Sequence, residues 1–210
     1  MKNKRNLIIW SVITVLIILA PIILGLIFYH QLPAKVPSHF GVNNEPDNFI
    51  DKRFAVFLMP IIAALLQLVF IFISNKIKSA RMTWVLLMIT PVISTVIYLI
   101  ILSFGLGHSL DVGRIVVFII GIVFLAIGNY FPTLTVDQYR LIHYNWKITD
   151  PIIWSKLSRK LGYSFVISGA ALLISLFFNV IVSLIIMGIF IIYVLGLMIY
   201  STSLQVKSGK

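Results

Sequence analysis

Long apolar stretches separated by short polar segments dominate the chain. Six of them are long enough for a helix to cross a bilayer, near residues 7–29, 54–74, 82–104, 114–132, 162–179 and 182–202. The last two form one apolar run that is too long for a single crossing, so a turn is expected at Asn179 to Ser183. Runs such as Val116 to Ile127 lack the alternation of membrane barrel strands. The pattern predicts an all-α, polytopic membrane protein with about six transmembrane helices.

Composition supports the membrane class and changes how the charge is interpreted. Sixty per cent of the residues are hydrophobic and 11% are charged, which lies far outside the range of soluble proteins. A net charge of +11 would suggest nucleic acid in a soluble chain, but cations that flank apolar spans act as topology signals. We therefore expect a lipid bilayer as the surroundings and no direct nucleic-acid partner. The chain has no cysteine, which excludes disulfides and thiolate chemistry.

The distribution of lysine and arginine predicts the orientation. Of the 17 such residues, 13 lie at the two ends and in the loops that follow the second and fourth spans. The other four lie on the opposite side, and cations are retained on the cytoplasmic face. The chain is therefore expected to place both its N-terminus and its C-terminus inside.

The loops divide the chain into three predicted parts. Residues 1–74 form an N-terminal helix pair with an extracytoplasmic loop at 30–53, and residues 75–113 hold the third helix and its flanking loops. Residues 114–210 hold the fourth helix, a cytoplasmic loop at 133–160, and the last two helices.

Prolines and polar residues inside the spans have structural interpretations. Pro21, Pro60 and Pro91 each predict a kink in one of the first three spans. Hydrogen bonds between helices are the expected role of the polar side chains at intramembrane depth, which are Gln67, Thr90, Ser94, Thr95, Ser168, Ser175 and Asn179.

The outer loop is rich in prolines, which favour an extended or turned backbone over a helix. His39 and Asp47 are expected close enough to hydrogen-bond or to share a cation, with Phe40 beside them. Because the loop lacks a recognisable metal-ligand spacing, a structural pairing is favoured over a metal site. No metal and no cofactor is predicted.

The inner loop combines aromatic and basic residues. Pro132 ends the fourth helix, and Asp150 or Thr149 is expected to cap the next one, with Pro151 in its first turn. Apolar residues from Ile153 to Phe165 recur at helical spacing and predict a basic amphipathic helix that leads into the fifth span. Its basic surface is either an ordinary charged membrane entry or a docking surface for a cytoplasmic partner, and comprises Arg140, Lys147, Lys156, Arg159 and Lys160.

These two loops carry a resemblance to a known family. Gly128-Asn129-Tyr130 with Pro132, followed by Trp146 and Trp154, resembles the helix end and basic loop of the SdpI family of bacterial immunity proteins. The outer-loop segments Leu32-Pro33, Pro37-Ser38-His39-Phe40 and Glu45-Pro46-Asp47 look like the small domain that often precedes this region.

Two segments depart from the family pattern. Leu141 to Tyr144 stands where the family has Gly-Ile-Arg-Thr, and Thr135 to Asp137 stands where it has Arg-Pro-Asn. A contact that the family makes through those basic and amide groups is therefore lost or changed in this chain.

The resemblance implies an immunity role in the bacterial cytoplasmic membrane, against a secreted antibacterial peptide toxin. It also implies signal transduction, through a receptor role that sequesters a cytoplasmic transcriptional repressor. The candidate partner-binding residues are then His39, Phe40, Asp47, Gly128, Asn129, Tyr130, Pro132, His143, Trp146 and Trp154.

Two other functional classes fit the sequence less well. The alternative is a small transporter or exporter of a peptide or lipid, which is disfavoured because no charged residue is predicted deep inside a span. An enzyme is not expected, since no convergent set of nucleophile, base or metal ligands is visible in the sequence.

Overall fold

The fold follows from how apolar helices satisfy their own backbone in a bilayer. The computed structural model describes residues 4–75, 80–137, 148 and 150–207. In those residues, six helical segments are long and apolar enough to cross a membrane, which confirms the predicted polytopic all-α class. They are Arg5–Phe28, Phe54–Ser74, Met82–Gly105, Val112–Thr133, Pro151–Ser175 and Val180–Val206.

A proline lies at the break in the first span, as predicted, and another follows an irregular turn in the second. The first is broken into α1 (Lys4–Leu19) and α2 (Pro21–Phe28), because Pro21 starts a helix more readily than it continues one. The second opens with a π-helical turn, Phe54–Leu58, immediately before α3 (Met59–Ser74), which has Pro60 in its first turn.

The remaining helices are long and continuous. They are α4 (Ala80–Gly105), α5 (Val112–Tyr130), α6 (Pro151–Ser175) and α7 (Val180–Lys207). A 3-10 turn, Phe131–Thr133, extends α5. The predicted amphipathic segment and the fifth span form one continuous helix, α6.

The predicted division of the last apolar run is confirmed, but its position was wrong by a few residues. The turn lies at 176–179, and not at Asn179 to Ser183. Asn179 begins the next helix: the Ile181 amide donates to its Oδ1 at 3.1 Å, and the Val182 amide donates to its carbonyl at 2.9 Å. A residue that caps a helix belongs to its start, so α7 begins earlier than hydropathy indicated.

Two compact units contain the described residues. The first is drawn from Met1–Phe72 and Leu86–Ile115, and the second from Ile73–Val85 and Val116–Lys210. The core of the first unit joins the outer loop, the π-helical turn and α4 through buried apolar residues, which are Leu32, Val36, Ala55, Val56, Tyr98, Ile101 and Leu102.

A β-hairpin forms within the loop at 30–53, where the sequence predicted extended or turned backbone without specifying strands. Strand β1 (Lys35–Phe40) pairs antiparallel with β2 (Pro46–Asp51). The register runs from Lys35 opposite Asp51 to Phe40 opposite Pro46, and it shifts on both sides of His39. These shifts bend the hairpin near its tip.

A buried glutamine connects three helices of the first unit. The Gln67 side chain on α3 is fully buried, and its Nε2 donates to Thr14 Oγ1 on α1 at 2.9 Å and to the Leu87 carbonyl on α4 at 3.0 Å. In a regular helix the Leu87 carbonyl would accept from residue 91, but that residue is Pro91, which has no amide hydrogen. Gln67 therefore satisfies a carbonyl that proline leaves open, and the predicted interhelical role is confirmed at this position.

Candidate functional site

The hairpin brings His39 and Asp47 together as the sequence predicted. His39 Nδ1 lies 2.5 Å from Asp47 Oδ1, and both side chains are exposed. Each residue sits at a register shift, which turns the two side chains toward each other across the strands. The geometry is that of a side-chain hydrogen bond on an accessible surface.

The base of the hairpin is packed tightly against the end of α4. A Cβ atom at Gly105 would lie 2.6 Å from Leu32 Cδ2 and 3.2 Å from Val36 Cγ1, so a larger residue there would require the Leu32 side chain to move. Phe40, another predicted site residue, packs against Phe104 with ring centroids 4.7 Å apart. The strands are therefore held against the C-terminal end of α4.

The tip of the hairpin is fixed by Asn44, a residue that the sequence analysis missed. Asn44 adopts a left-handed conformation with φ of 64°, which asparagine tolerates better than most residues. Its Nδ2 donates to the Leu110 carbonyl at 2.8 Å, and its Oδ1 accepts from the Gly113 amide at 3.1 Å. One side chain thus ties the tip to the segment that starts α5.

Lys52 holds the other end of the loop, and it was also missed. Its Nζ donates to the carbonyls of Tyr29 and Leu32, each at 3.0 Å, and lies 4.6 Å from the centre of the Tyr29 ring. These carbonyls follow the C-terminus of α2, where a cation is favourable because of the helix dipole. The lysine therefore has a structural contact beyond its contribution to topology.

The outward side of the hairpin combines polar and apolar groups. Val42 is 67% exposed and Phe49 is 50% exposed, in the same hairpin as the exposed His39–Asp47 pair. Exposed apolar side chains beside a polar pair are typical of protein-binding surfaces. We call His39, Val42, Asp47 and Phe49 the hairpin surface.

The Gly-Asn-Tyr-x-Pro motif at the end of α5 contributes to helix packing. A Cβ atom at Gly128 on α5 would lie 2.7 Å from the Gly162 carbonyl oxygen and 2.8 Å from the Val166 amide nitrogen on α6. One heptad away, a Cβ atom at Gly169 would lie 2.8 Å from the carbonyl oxygen of Gly121. These four glycines form what we call the glycine seam, which allows backbone contact between antiparallel helices.

Pro132 and Trp154 close the end of this seam. The Pro132 ring fills the space beside Gly162, where a Cβ atom would lie 2.7 Å from its Cγ. Trp154 is buried, and its indole Nε1 donates to the Leu134 carbonyl at 2.7 Å. This bond ties the start of α6 to the chain that follows α5, so both motif residues stabilise the same junction.

Aromatic packing extends from this junction through the second unit. Phe131 lies 6.1 Å from Trp154 and 6.0 Å from Phe165, measured between ring centroids. Phe124, Phe165 and Phe190 form a triangle with centroid distances of 4.7 to 5.0 Å. The triangle joins α5, α6 and α7, and two of its three ring pairs have the edge-to-face geometry that aromatic rings prefer.

The start of α6 confirms the predicted cap. Asp150 Oδ1 accepts from the amides of Ile152 at 2.7 Å and Ile153 at 3.4 Å, with Pro151 in the first turn. The predicted cations Lys156, Arg159 and Lys160 are exposed, while the opposite face of the helix is buried. Its buried residues include Trp154, Leu157, Ser158 and Leu161.

The other predicted site residues are placed differently or lie outside the described part. Asn129 is exposed in the last turn of α5, and the Tyr130 carbonyl accepts from the Thr133 hydroxyl at 2.6 Å. The remaining candidates fall outside the described residues, and they are Arg140, His143, Trp146 and Lys147. In the part of the chain that is described, no three His, Cys, Asp or Glu side chains cluster as metal ligands.

Sequence signals for the missed features exist but are weak alone. The glycine seam corresponds to a spacing of seven residues on both helices, Gly121 to Gly128 and Gly162 to Gly169. Seven residues are about two helical turns, so each pair lies on one face. Asn44 and Lys52 have no such signal, because their partners are distant backbone carbonyls and amides.

Comparisons with known proteins match both regions. Residues 16–64, which contain the hairpin, match a domain family described as a domain of unknown function, DUF1648. Over 173 residues the chain is 22% identical to Immunity protein SdpI of Bacillus subtilis (strain 168), covering 80% of this chain and 82% of that protein. No solved structure is significantly similar. These matches confirm the resemblance to the SdpI family that the two loop motifs predicted.

Proposed function

We propose that this protein protects its host cell from a secreted antibacterial peptide, acting from the bacterial cytoplasmic membrane. The observation that supports this role most directly is the hairpin surface. It consists of exposed polar and apolar side chains on a hairpin that is anchored at both its tip and its base. The similarity to an immunity protein over most of the chain supports this role. A rigid exposed loop binds a partner with little ordering cost.

The expected orientation places the hairpin surface where a secreted peptide arrives. The excess of cations predicts that the loop at 133–160 faces the cytoplasm, so the loop at 30–53 faces outward. Tyr163 on α6 and Tyr200 on α7 are both exposed, and Lys160 Nζ lies 5.8 Å from the Tyr200 ring. Such tyrosines and lysines are enriched at membrane interfaces, which agrees with a cytoplasmic boundary near Lys160.

Substitutions in the hairpin surface test the proposal. In a toxin-sensitive strain that expresses the chain, His39→Ala or Asp47→Ala is expected to lower the tolerated toxin concentration about tenfold. Each substitution removes one partner of the hydrogen bond between His39 and Asp47, a pair that we assign to peptide recognition. The amount of protein in the membrane should stay unchanged, because exposed pairs contribute only about 0–1 kcal/mol to stability.

Arg114→Ala is the matched control. Arg114 Nε lies 3.2 Å from Asp111 Oδ2 in an exposed ion pair of the first unit. The pair is not part of the hairpin strands, although it belongs to the segment that Asn44 contacts. This variant should protect as well as the unsubstituted chain. Equal protection by all three variants, or equal loss in all three, would contradict recognition by the hairpin surface, and killing despite the unsubstituted chain would contradict immunity itself.

The other predicted roles stay predictions. Repressor sequestration would rely on the exposed cations Lys156, Arg159 and Lys160, which offer a basic surface for an acidic partner. The transporter alternative has no specific geometry to support it among the described contacts.

A further inference from the structure

A groove between helices of the first unit lies at intramembrane depth. Its volume is about 430 Å³, and residues of α1, α3 and α4 line it. Ile18 closes the α1 side, while Ala63 and Leu66 of α3 face residues of α4 across the opening. Three helices therefore leave unfilled a space large enough for several side chains.

The rim of the groove is apolar and accessible from the side. Ile62 is 55% exposed, Leu66 is 49% exposed and Ile97 is 39% exposed, and all three line the groove. Within a transmembrane region, exposed side chains of this kind face hydrocarbon or another apolar segment. An occupant would enter the groove from within the bilayer.

Two polar groups in the wall, the hydroxyls of Thr90 and Tyr98, have no hydrogen-bond partner among the described residues. The Thr90 side chain lines the groove and is 6% exposed, and its Oγ1 has no hydrogen-bond partner among the described residues. Thr90 lies about 12 Å along the helix axis from Met82 and about 22 Å from Gly105, the ends of its span. This position is deep inside a hydrocarbon core about 30 Å thick, where a hydroxyl without a partner is costly.

We propose that this groove binds an apolar segment of a membrane-inserted peptide, with the Thr90 hydroxyl donating to a carbonyl oxygen of that segment. The inference rests on the proposed immunity function and names the partner chemistry at a second site. Lipid ester groups lie near the membrane surface, so at this depth a lipid offers only methylenes. A peptide brings both apolar side chains and carbonyl acceptors.

Photo-crosslinking tests the groove directly. The probe is a synthetic Leu/Ala transmembrane peptide of about 20 residues with a diazirine leucine at its centre, reconstituted with the full chain in phosphatidylcholine vesicles. Mapped crosslinks should concentrate on residues that border the groove, such as Ile62, Leu66 and Ile97. Ala63→Trp, which fills the groove, should reduce these crosslinks about tenfold.

Two further variants keep the result interpretable. Thr90→Val keeps the side-chain shape and removes the hydroxyl, so it should weaken crosslinking about threefold. This variant tests the groove independently of whether the tryptophan variant folds. Ile192→Trp places a ring on α7 at a position that is 73% exposed, and it should leave groove crosslinking unchanged.

Several outcomes would overturn the inference. These are crosslinks spread over all exposed apolar faces, or equal effects of Ala63→Trp and Ile192→Trp. Groove labelling by a diazirine phosphatidylcholine that the peptide does not displace would show an acyl-chain site. Survival of toxin-treated cells without groove labelling would contradict only the proposed peptide site in the groove. Cell death with groove labelling would contradict only the proposed immunity function.

Discussion

Gly128→Ala is expected to destabilise the protein by about 1–3 kcal/mol, the usual cost of forcing an added methyl group into a filled space. The new Cβ atom would meet the Gly162 carbonyl oxygen, Phe165 Cβ and the Val166 amide nitrogen, at 2.7 to 2.8 Å. Two of these three atoms are backbone, so relief requires α5 and α6 to separate. Because alanine favours helix by about 1 kcal/mol over glycine, a measured loss reports the contact itself.

Gly188→Ala is the control for this prediction. Gly188 lies on α7, in the same unit, and a Cβ atom there would have no neighbour within 4 Å. This change should leave stability unchanged or raise it. Heating the purified proteins in mild detergent and measuring the monodisperse fraction compares the two variants. Equal melting of both would show that the glycine seam does not limit packing.

Gln67→Leu is expected to destabilise the protein by about 1–2 kcal/mol, and the loss should depend on Pro91. With leucine at this position, the Leu87 carbonyl loses the Nε2 donor, and proline supplies no amide in its place. In hydrocarbon no water molecule replaces this donor, so the Leu87 carbonyl is left without a hydrogen bond. Thr14 Oγ1 loses its contact as well.

A double-mutant cycle isolates this effect. Pro91→Ala returns an amide hydrogen to the turn above Leu87, so Gln67→Leu in that background should cost little or nothing. The difference between the two backgrounds, measured by the same detergent melting, is the coupling between the glutamine and the proline. An equal loss in both backgrounds would mean that Gln67 acts through packing or through Thr14 alone.

The spans were predictable because a bilayer imposes one length and one composition on every crossing. Local chemistry shifted only their ends, as at Asn179, whose side chain caps α7. The pairing of Gln67 with Leu87 was not predictable in detail, since it joins residues on separate helices. The sequence nevertheless contains both halves of that interaction, a glutamine in one span and a proline in another.

The candidate sites were predictable to different degrees. His39 and Asp47 were paired correctly from turn residues, but the strands that hold them were not, because prolines occur in both. The motif at the end of α5 was predicted as a partner-binding element, which stays a prediction, and its packing role was not foreseen: Gly128, Pro132 and Trp154 pack inside the second unit. Glycines that permit backbone contact look the same in sequence as glycines that serve a ligand.

Two kinds of residue in the same chain therefore respond differently to substitution. Gly128 and Trp154 are buried in helix packing, so changing them should lower the amount of folded protein together with protection. His39 and Asp47 are exposed on an anchored loop, so changing them should lower protection alone. Measuring protein level beside survival separates these classes.

Cysteine accessibility on intact cells tests most directly that the hairpin surface faces the secreted peptide. The chain has no cysteine, so Val42→Cys and Lys156→Cys each create a single thiol at an exposed position. A membrane-impermeant maleimide should label Val42→Cys in intact cells, and Lys156→Cys only after the membrane is permeabilised. Labelling of Lys156→Cys in intact cells with protection of Val42→Cys would reverse the orientation and contradict recognition at the outer hairpin.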